Sequence, residues 1–187
     1  MAFGFKPARL RDGSPYNASV SRCYYSTAAD LFVGDPVNLS GTAEAVTAIP
    51  SVIKATAGTG NAVYGIVVGI EPIRNDLTKT YVPSGTSGYV YVETNPNVVY
   101  HATEDAAGGA LAITAVGLNI NYVAGAGNAT FGTSGASIDS SSPLATATLQ
   151  FRLLGLAQTE GNVLGSDASV WEVTINNSNA APNTAGA

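Results

Sequence analysis

His101 is the one histidine of the chain, and Glu104 and Asp105 follow it closely. A histidine beside two carboxylates is the smallest set from which acid–base chemistry or a metal site could be assembled. The surrounding stretch, VYVETNPNVVYHATED, reads as strands over 90–93 and 98–103, joined as a hairpin by a Thr-Asn-Pro-Asn turn. On the second strand Val98, Tyr100 and Ala102 share one face, and Val99, His101 and Thr103 share the other. Glu104 and Asp105 fall past the strand end. His101 then lacks an orienting partner and a nucleophile, and one histidine with adjacent acids is weak metal spacing. It reads as a surface or interface residue on a structural hairpin.

The other pieces that could carry chemistry fail on spacing. TAGTGNAVYG has no lysine after its glycines, so it is not a phosphate-binding loop. GTSG occurs at 85–88 and again at 132–135, and neither copy has the Gly-x-Ser-x-Gly spacing of a nucleophile elbow. Both read as turns. Asp139 is followed by three serines and lacks the alternating acids of a calcium loop. Cys23, the single cysteine, has no nearby base except Arg22, and it excludes an intrachain disulfide framework. Arg152 reads as an outward or interface residue. No catalytic, cofactor-binding or metal-ligating residue is assigned, no cofactor is expected, and the chain is not read as an enzyme.

The elements that would position any site are short strands. Charged residues make up 11% of the 187 residues, well under the roughly 25% of ordinary domains, and glycine reaches 21. Runs such as Ala62–Ile70 are rich in β-formers, with Gly65 and Gly69 marking bulges or bends. Pro36 reads as a strand start or an edge position. LATATLQFRLLGL puts Ala145, Ala147, Leu149, Phe151 and Leu153 on one face, with Gln150 and Arg152 on the other. In ASVWEVTIN, Trp171, Val173 and Ile175 oppose Val170, Glu172 and Thr174. The one helical candidate is a short stretch near Gly109–Val116. The sum is all-β, a compact β-barrel or β-sandwich of jelly-roll type with at most one short helix. Three parts are expected: an extended N-terminal arm over 1–22, a β domain over 23–178 and a flexible tail over 179–187.

Charge is uneven between these parts. Residues 1–22 carry Lys6, Arg9, Arg11 and Arg22 against Asp12, a net of +3, so the remainder of the net −5 is −8 on the body. A basic arm on an acidic body points to an acidic contact for the arm. The acidic body repels phosphate, so nucleic acid is not an expected partner. No run has the length of a membrane span or of a secretory leader, so no membrane association is expected. A surface so poor in charge suits a protein held in an assembly.

Several segments, in order, carry a resemblance: MAFGFKPARLRDGSPYN, GDPVNLSG, VYGIVVGIEP, VYVETNPNVVYHATED, GLNINYVAGAGNATFGTSGASIDSSS, ATLQFRLLGL and NVLGSDASVWEVTINN. Over roughly residues 1–178 the chain resembles the head decoration, or structural cement, proteins of tailed bacteriophages. The likeness lies in order and spacing, with no single diagnostic motif. Where such proteins tend to carry Asp-Asp-Pro-Asp and Phe-Glu, this chain has Thr94-Asn95-Pro96-Asn97 and Tyr100-His101. The resemblance implies a virion structural protein on the outer surface of the capsid, assembled in the host cytoplasm. It would bind across joints of the major capsid protein shell and associate with itself as a homodimer or homotrimer. The expected shell contacts are Phe3, Phe5, Lys6, Arg9, Arg11 and Tyr16, with the arm ordering on binding. The alternatives are a tail or fibre β-module of a virion, for which no repeat is seen, and a carbohydrate-binding module, for which no aromatic platform is visible in the sequence.

Overall fold

A computed structural model describes residues 2–180. Among the described residues, twelve strands and one helical turn make up the regular structure, and the strands divide into a closed barrel, an open sheet and a small ribbon. The all-β expectation holds.

The barrel is built from β2 (Val20–Ser26), β3 (Pro36–Ala43), β4 (Pro50–Lys54), β5 (Gly65–Ile70) and β6 (Ser87–Glu93). Its order is β2-β4-β3-β5-β6, closed by β6 on β2, and only the β2/β4 pair is parallel. Alternation along each strand sends one face inward. Cys23, Tyr25, Val37, Val52, Val67, Val90 and Val92 fill the interior, with Leu31, Ile73 and Val82 packed with them. Pro36 does open β3, where its missing N–H costs no ladder bond. The ladder between β5 and β6 shifts register between Val67 and Gly69, so the glycine expected to mark a bulge does so.

Cys23 lies in this interior, fully buried, and burial pushes its thiol up to about 11. The thiolate is the reactive form. Ellman's reagent is therefore expected to leave the native protein untouched at pH 8 and to titrate one thiol per chain in denaturant. Prompt native labelling would show that the barrel is not closed in solution.

The open sheet contains β1 (Lys6–Leu10), β7 (Val98–Thr103), β8 (Asn119–Ile120), β11 (Phe151–Leu156) and β12 (Val170–Ile175), all antiparallel, in the order β1-β7-β12-β11-β8. One face carries Tyr100, Ala102, Ile120, Phe151, Leu153, Trp171 and Val173 into a second core. Ile66 joins this core while Val67 faces the barrel interior. β5 thus serves as a common wall, and barrel and sheet pack as one body. A ribbon of β9 (Tyr122–Val123) and β10 (Ser137–Ile138) completes the strands.

Three expectations change. The stretch 90–103 is not a hairpin, because β6 pairs with β2 and β5 while β7 pairs with β1 and β12. The Thr94–Asn97 turn carries the chain from barrel to sheet, held by Asn95 N–H to Glu93 Oε1 (2.9 Å), Val98 N–H to Asn95 O (3.2 Å) and the Thr174 hydroxyl to Pro96 O (2.8 Å). Val90 and Val92 of β6 pack in the barrel core, while Val98, Tyr100 and Ala102 of β7 pack in the sheet core. Next, the strand expected from residue 144 begins only at Phe151. Ala145 and Ala147 are exposed and have little to bury. Side-chain amides instead satisfy the backbone there: Asn119 Nδ2 donates to Thr146 O (2.8 Å), and Asn176 Nδ2 to Ala147 O (3.0 Å) and Leu149 O (2.7 Å). Gln150, expected outside, is fully buried and bridges Thr56 O (2.9 Å) and Gly58 N–H (3.0 Å).

The third change concerns the first 22 residues, which are not an arm apart from the body. Lys6–Leu10 form the edge strand β1, and Arg22 lies within β2. The helical candidate survives as a single 3-10 turn, Ile113–Ala115, bracketed by Gly109 and Gly117 in left-handed conformations. Of the expected tail, 181–187 lie outside the described residues. Ser178 bridges to Val63, and Asn179 Nδ2 donates to Asn38 Oδ1.

Candidate functional site

Four of the six N-terminal residues singled out from sequence, Phe3, Phe5, Lys6 and Tyr16, meet at one place, and Arg9 and Arg11 do not line it. Phe3, Phe5, Lys6, Pro7 and Tyr16 line a cleft of about 690 Å³, facing Val67, Val68, His101 and Val170. Its lining is mostly apolar, unlike most of the surface of this serine- and threonine-rich chain.

Gly4 makes the approach possible. Its φ is +76°, and an added Cβ would lie 2.6 Å from Ser134 Cβ and 2.7 Å from Gly34 O. The backbone therefore lies flat on the 34 and 134 loops, and Phe5 N–H donates to Gly34 O at 3.0 Å. Phe5 then enters the sheet core. It stacks on Phe151 with ring centres 4.3 Å apart and meets Tyr122 edge-on at 6.2 Å. At 1% exposure it has no surface left for another protein, so its expected role as a shell anchor is replaced by one in its own core. Phe3 stays half-buried at the cleft.

The bases of this segment divide the same way. Arg9 Nη2 lies 2.6 Å from Glu172 Oε2 and its Nε 3.3 Å from Oε1, a two-pronged pair across the sheet. The hydrogen bond to Glu172 raises the guanidinium above its usual range, against a smaller opposing effect of burial. Arg9 is thus already paired within the chain. Lys6 and Arg11 are exposed, and Arg11 is fixed only through its backbone, N–H to Asn97 O at 2.9 Å. Tyr16 is half-buried, and burial, then Glu93, pushes its phenol well above its usual range.

His101 projects, as expected, from the face opposite Tyr100 and lines the cleft. Its Nε2 is 3.7 Å from Glu172 Oε1, the carboxylate that Arg9 holds. The acids that follow it in sequence do not join it. Glu104 is buried and accepts from Leu111 N–H at 2.7 Å, and Asp105 Oδ1 accepts from Ser140 N–H and hydroxyl, each at 3.0 Å. Both organise loops. Among the described residues no group of three or more His, Cys, Asp and Glu side chains could hold a metal ion.

Sequence reasoning missed one cluster. Tyr24, Tyr89 and Tyr91 stand with Arg22 on the outer wall of the barrel, an aromatic platform where none was expected. The trace of it was Tyr89-x-Tyr91 alternating with Val90 and Val92. Its partner strand, β2, lies more than sixty residues earlier in the chain, and no local pattern names that pairing.

No family model, no curated protein and no solved structure matches the chain.

Proposed function

We propose that this protein is a capsid decoration protein of a tailed bacteriophage, binding as a homodimer or homotrimer across joints of the major capsid protein shell. The observation that carries the reading is the apolar cleft beside β1, walled by Phe3, Pro7, Val68 and Val170 and edged by the exposed Lys6. Such a surface fits an apolar side chain or an extended segment of a shell subunit, with Lys6 at the cleft and Arg11 past the far end of β1 meeting acidic shell residues. The segment resemblance and the charge-poor surface support the same reading. The mechanism is mechanical. Each contact adds buried area across a joint, a standard interface burying about 1,200–2,000 Å², and repetition over the shell multiplies it. Because β1 is built into the sheet, the clamp is a rigid edge rather than an arm that orders on binding, and it loses less entropy on association.

Cosedimentation with decoration-free capsids tests this. The native chain is expected to bind saturably. Phe3→Glu and Val68→Glu, which put a charge into the cleft, are expected to weaken binding about tenfold or more, as a buried unpaired charge costs at least 1.4 kcal/mol. Unaltered binding by both variants would keep the function and remove the cleft from it. No binding by the folded native chain would sink the decoration reading.

A further inference from the structure

The outer wall of the barrel carries another concave surface, away from the cleft beside β1. β2 and β6 pair with Arg22 opposite Tyr91 and Tyr24 opposite Tyr89. Since Cys23, Tyr25, Val90 and Val92 face the interior, alternation sets these four side chains next to one another outside. The Arg22 guanidinium lies 3.8 Å from the centre of the Tyr89 ring. Its Nε and Nη2 donate to Glu71 Oε1 and Oε2 at 2.6 and 2.8 Å, and the Tyr91 hydroxyl donates to Glu71 Oε1 at 2.9 Å. The Tyr24 ring is tilted against that of Tyr89, with centres 5.5 Å apart. Each group is fixed by the next, so the surface is organised before anything binds it.

Arg22, Tyr24, Glu71 and Tyr89 line a cleft of about 670 Å³ whose further walls include Arg74, Asn75 and Ser87. A second cleft of about 350 Å³ meets it at Tyr24 and Glu44 and is lined by hydroxyls such as Ser40, Thr42 and Ser51. Sharing Tyr24 and Glu44, the two run into one another as one groove.

The chemistry of the groove narrows the ligand. Its bases, Arg22 and Arg74, are balanced by Glu44 and Glu71, so it has no excess of charge for a phosphate or a polyanion. β2 and β6 are both internal to a closed barrel, so no free strand edge is offered to an extended peptide. What remains is dense in hydroxyl, amide and carboxylate groups around tyrosine rings. That combination suits a ligand with apolar ring faces and many hydroxyls at its rim. We propose that this groove binds a neutral oligosaccharide, with a pyranose face on Tyr24 and ring hydroxyls bonded to Glu44, Glu71 and Arg74. The site is independent of the capsid contact and stands or falls separately.

The test is titration of neutral hexasaccharides of gluco, manno, galacto and xylo configuration into the 15N-labelled full chain, read by amide shifts. At least one is expected to give saturable shifts confined to residues 22–27, 40–45, 51–53, 71–75 and 85–89. Tyr24→Ala is expected to weaken that affinity about tenfold, or about 1.4 kcal/mol, because it removes the ring on which the sugar face lies. Tyr24→Phe keeps the ring, and Phe131→Ser alters an exposed aromatic outside the groove lining; both should stay within about twofold of native. Native amide spectra for all variants establish that the fold is intact. Silence from every saccharide, shifts elsewhere, or an unaffected Tyr24→Ala would overturn the proposal. Silence accompanied by weaker capsid cosedimentation of Tyr24→Ala would also overturn it and give the groove to a protein contact.

Discussion

Phe5→Ala is expected to destabilise the protein by about 3–5 kcal/mol, the usual cost of emptying a buried phenylalanine site. The ring is 1% exposed, stacked on Phe151 and edge-on to Tyr122, so its removal leaves a cavity between two aromatic neighbours that strands β11 and β9 hold in place. It also removes the core anchor that immediately precedes β1. Urea denaturation followed by tryptophan fluorescence would read the change, since Trp171 is fully buried in the same core. Phe3→Ala, at the half-buried cleft position, should cost about 1 kcal/mol or less by its smaller change in buried area. If the two variants lose equally little, β1 is not docked in solution, and the N-terminal segment would again be a candidate free arm. The comparison also decides how binding data are read. A chain lacking residues 1–22 would lose β1, Phe5 and part of β2 together, so its failure to bind capsids would report unfolding rather than the loss of a clamp. Point changes at Phe3 and Val68 separate the two.

What could be read from the sequence was whatever depends on period and on residues with fixed conformational needs. Alternation in Val170–Ile175 put Trp171 and Val173 on one face, which the structure packs into the core, and it placed His101 opposite Tyr100. Pro36 and Gly69 announced a strand start and a bulge because proline lacks a donor and glycine lacks a Cβ. What could not be read was pairing at a distance. β6 and β7 are separated by four residues and yet belong to different sheets, a choice made by two cores that no local window contains. Alternation also misled where the apolar residues were alanines: Ala145 and Ala147 kept the period but had too little side chain to make the strand worth burying. The N-terminal segment failed for a related reason. Its Phe-x-Phe pattern and its bases looked like groups seeking a partner, and for Phe5 and Arg9 the partners, Phe151 and Glu172, came from the far end of the same chain. The candidate site was therefore half legible. Its residues were named, but the cleft they make depends on Val68, His101 and Val170 arriving from three other strands or strand ends.

Asp35→Ala is expected to cost about 3–5 kcal/mol, because it takes the acceptor from two buried donors, Phe32 N–H and the Ser134 hydroxyl, and the partner from the partly exposed Lys54. Asp35 is 2% exposed and accepts from three directions: Lys54 Nζ at 2.9 Å and Phe32 N–H at 2.9 Å on Oδ2, and the Ser134 hydroxyl at 2.5 Å on Oδ1. Its backbone adds Val67 N–H to Asp35 O at 3.0 Å. The residue thus ties the start of β3, the end of β4, the common wall β5 and the 134 loop to one point. Asp35→Asn retains an oxygen and its shape and gives up the charge, so a smaller loss of about 1–3 kcal/mol is expected. A double-mutant cycle with Lys54→Met isolates the pair, and a coupling of about 0.5–3 kcal/mol is expected between directly contacting groups. The consequence reaches the cleft, because Gly4 and Phe5 lie on Gly34 and Ser134, and Thr133 lines the opening. Amide exchange in Asp35→Asn should therefore quicken at Phe5 and Ser134 before it quickens at Tyr100 or Val173, which lie in the centre of the sheet. A uniform increase across all of these amides would mean that Asp35 supports global stability alone and does not hold the N-terminal strand to the barrel. A selective increase would identify the 35–134 contact as the joint that keeps the cleft in shape, and capsid binding by Asp35→Asn should then weaken although none of the cleft's lining residues has been changed.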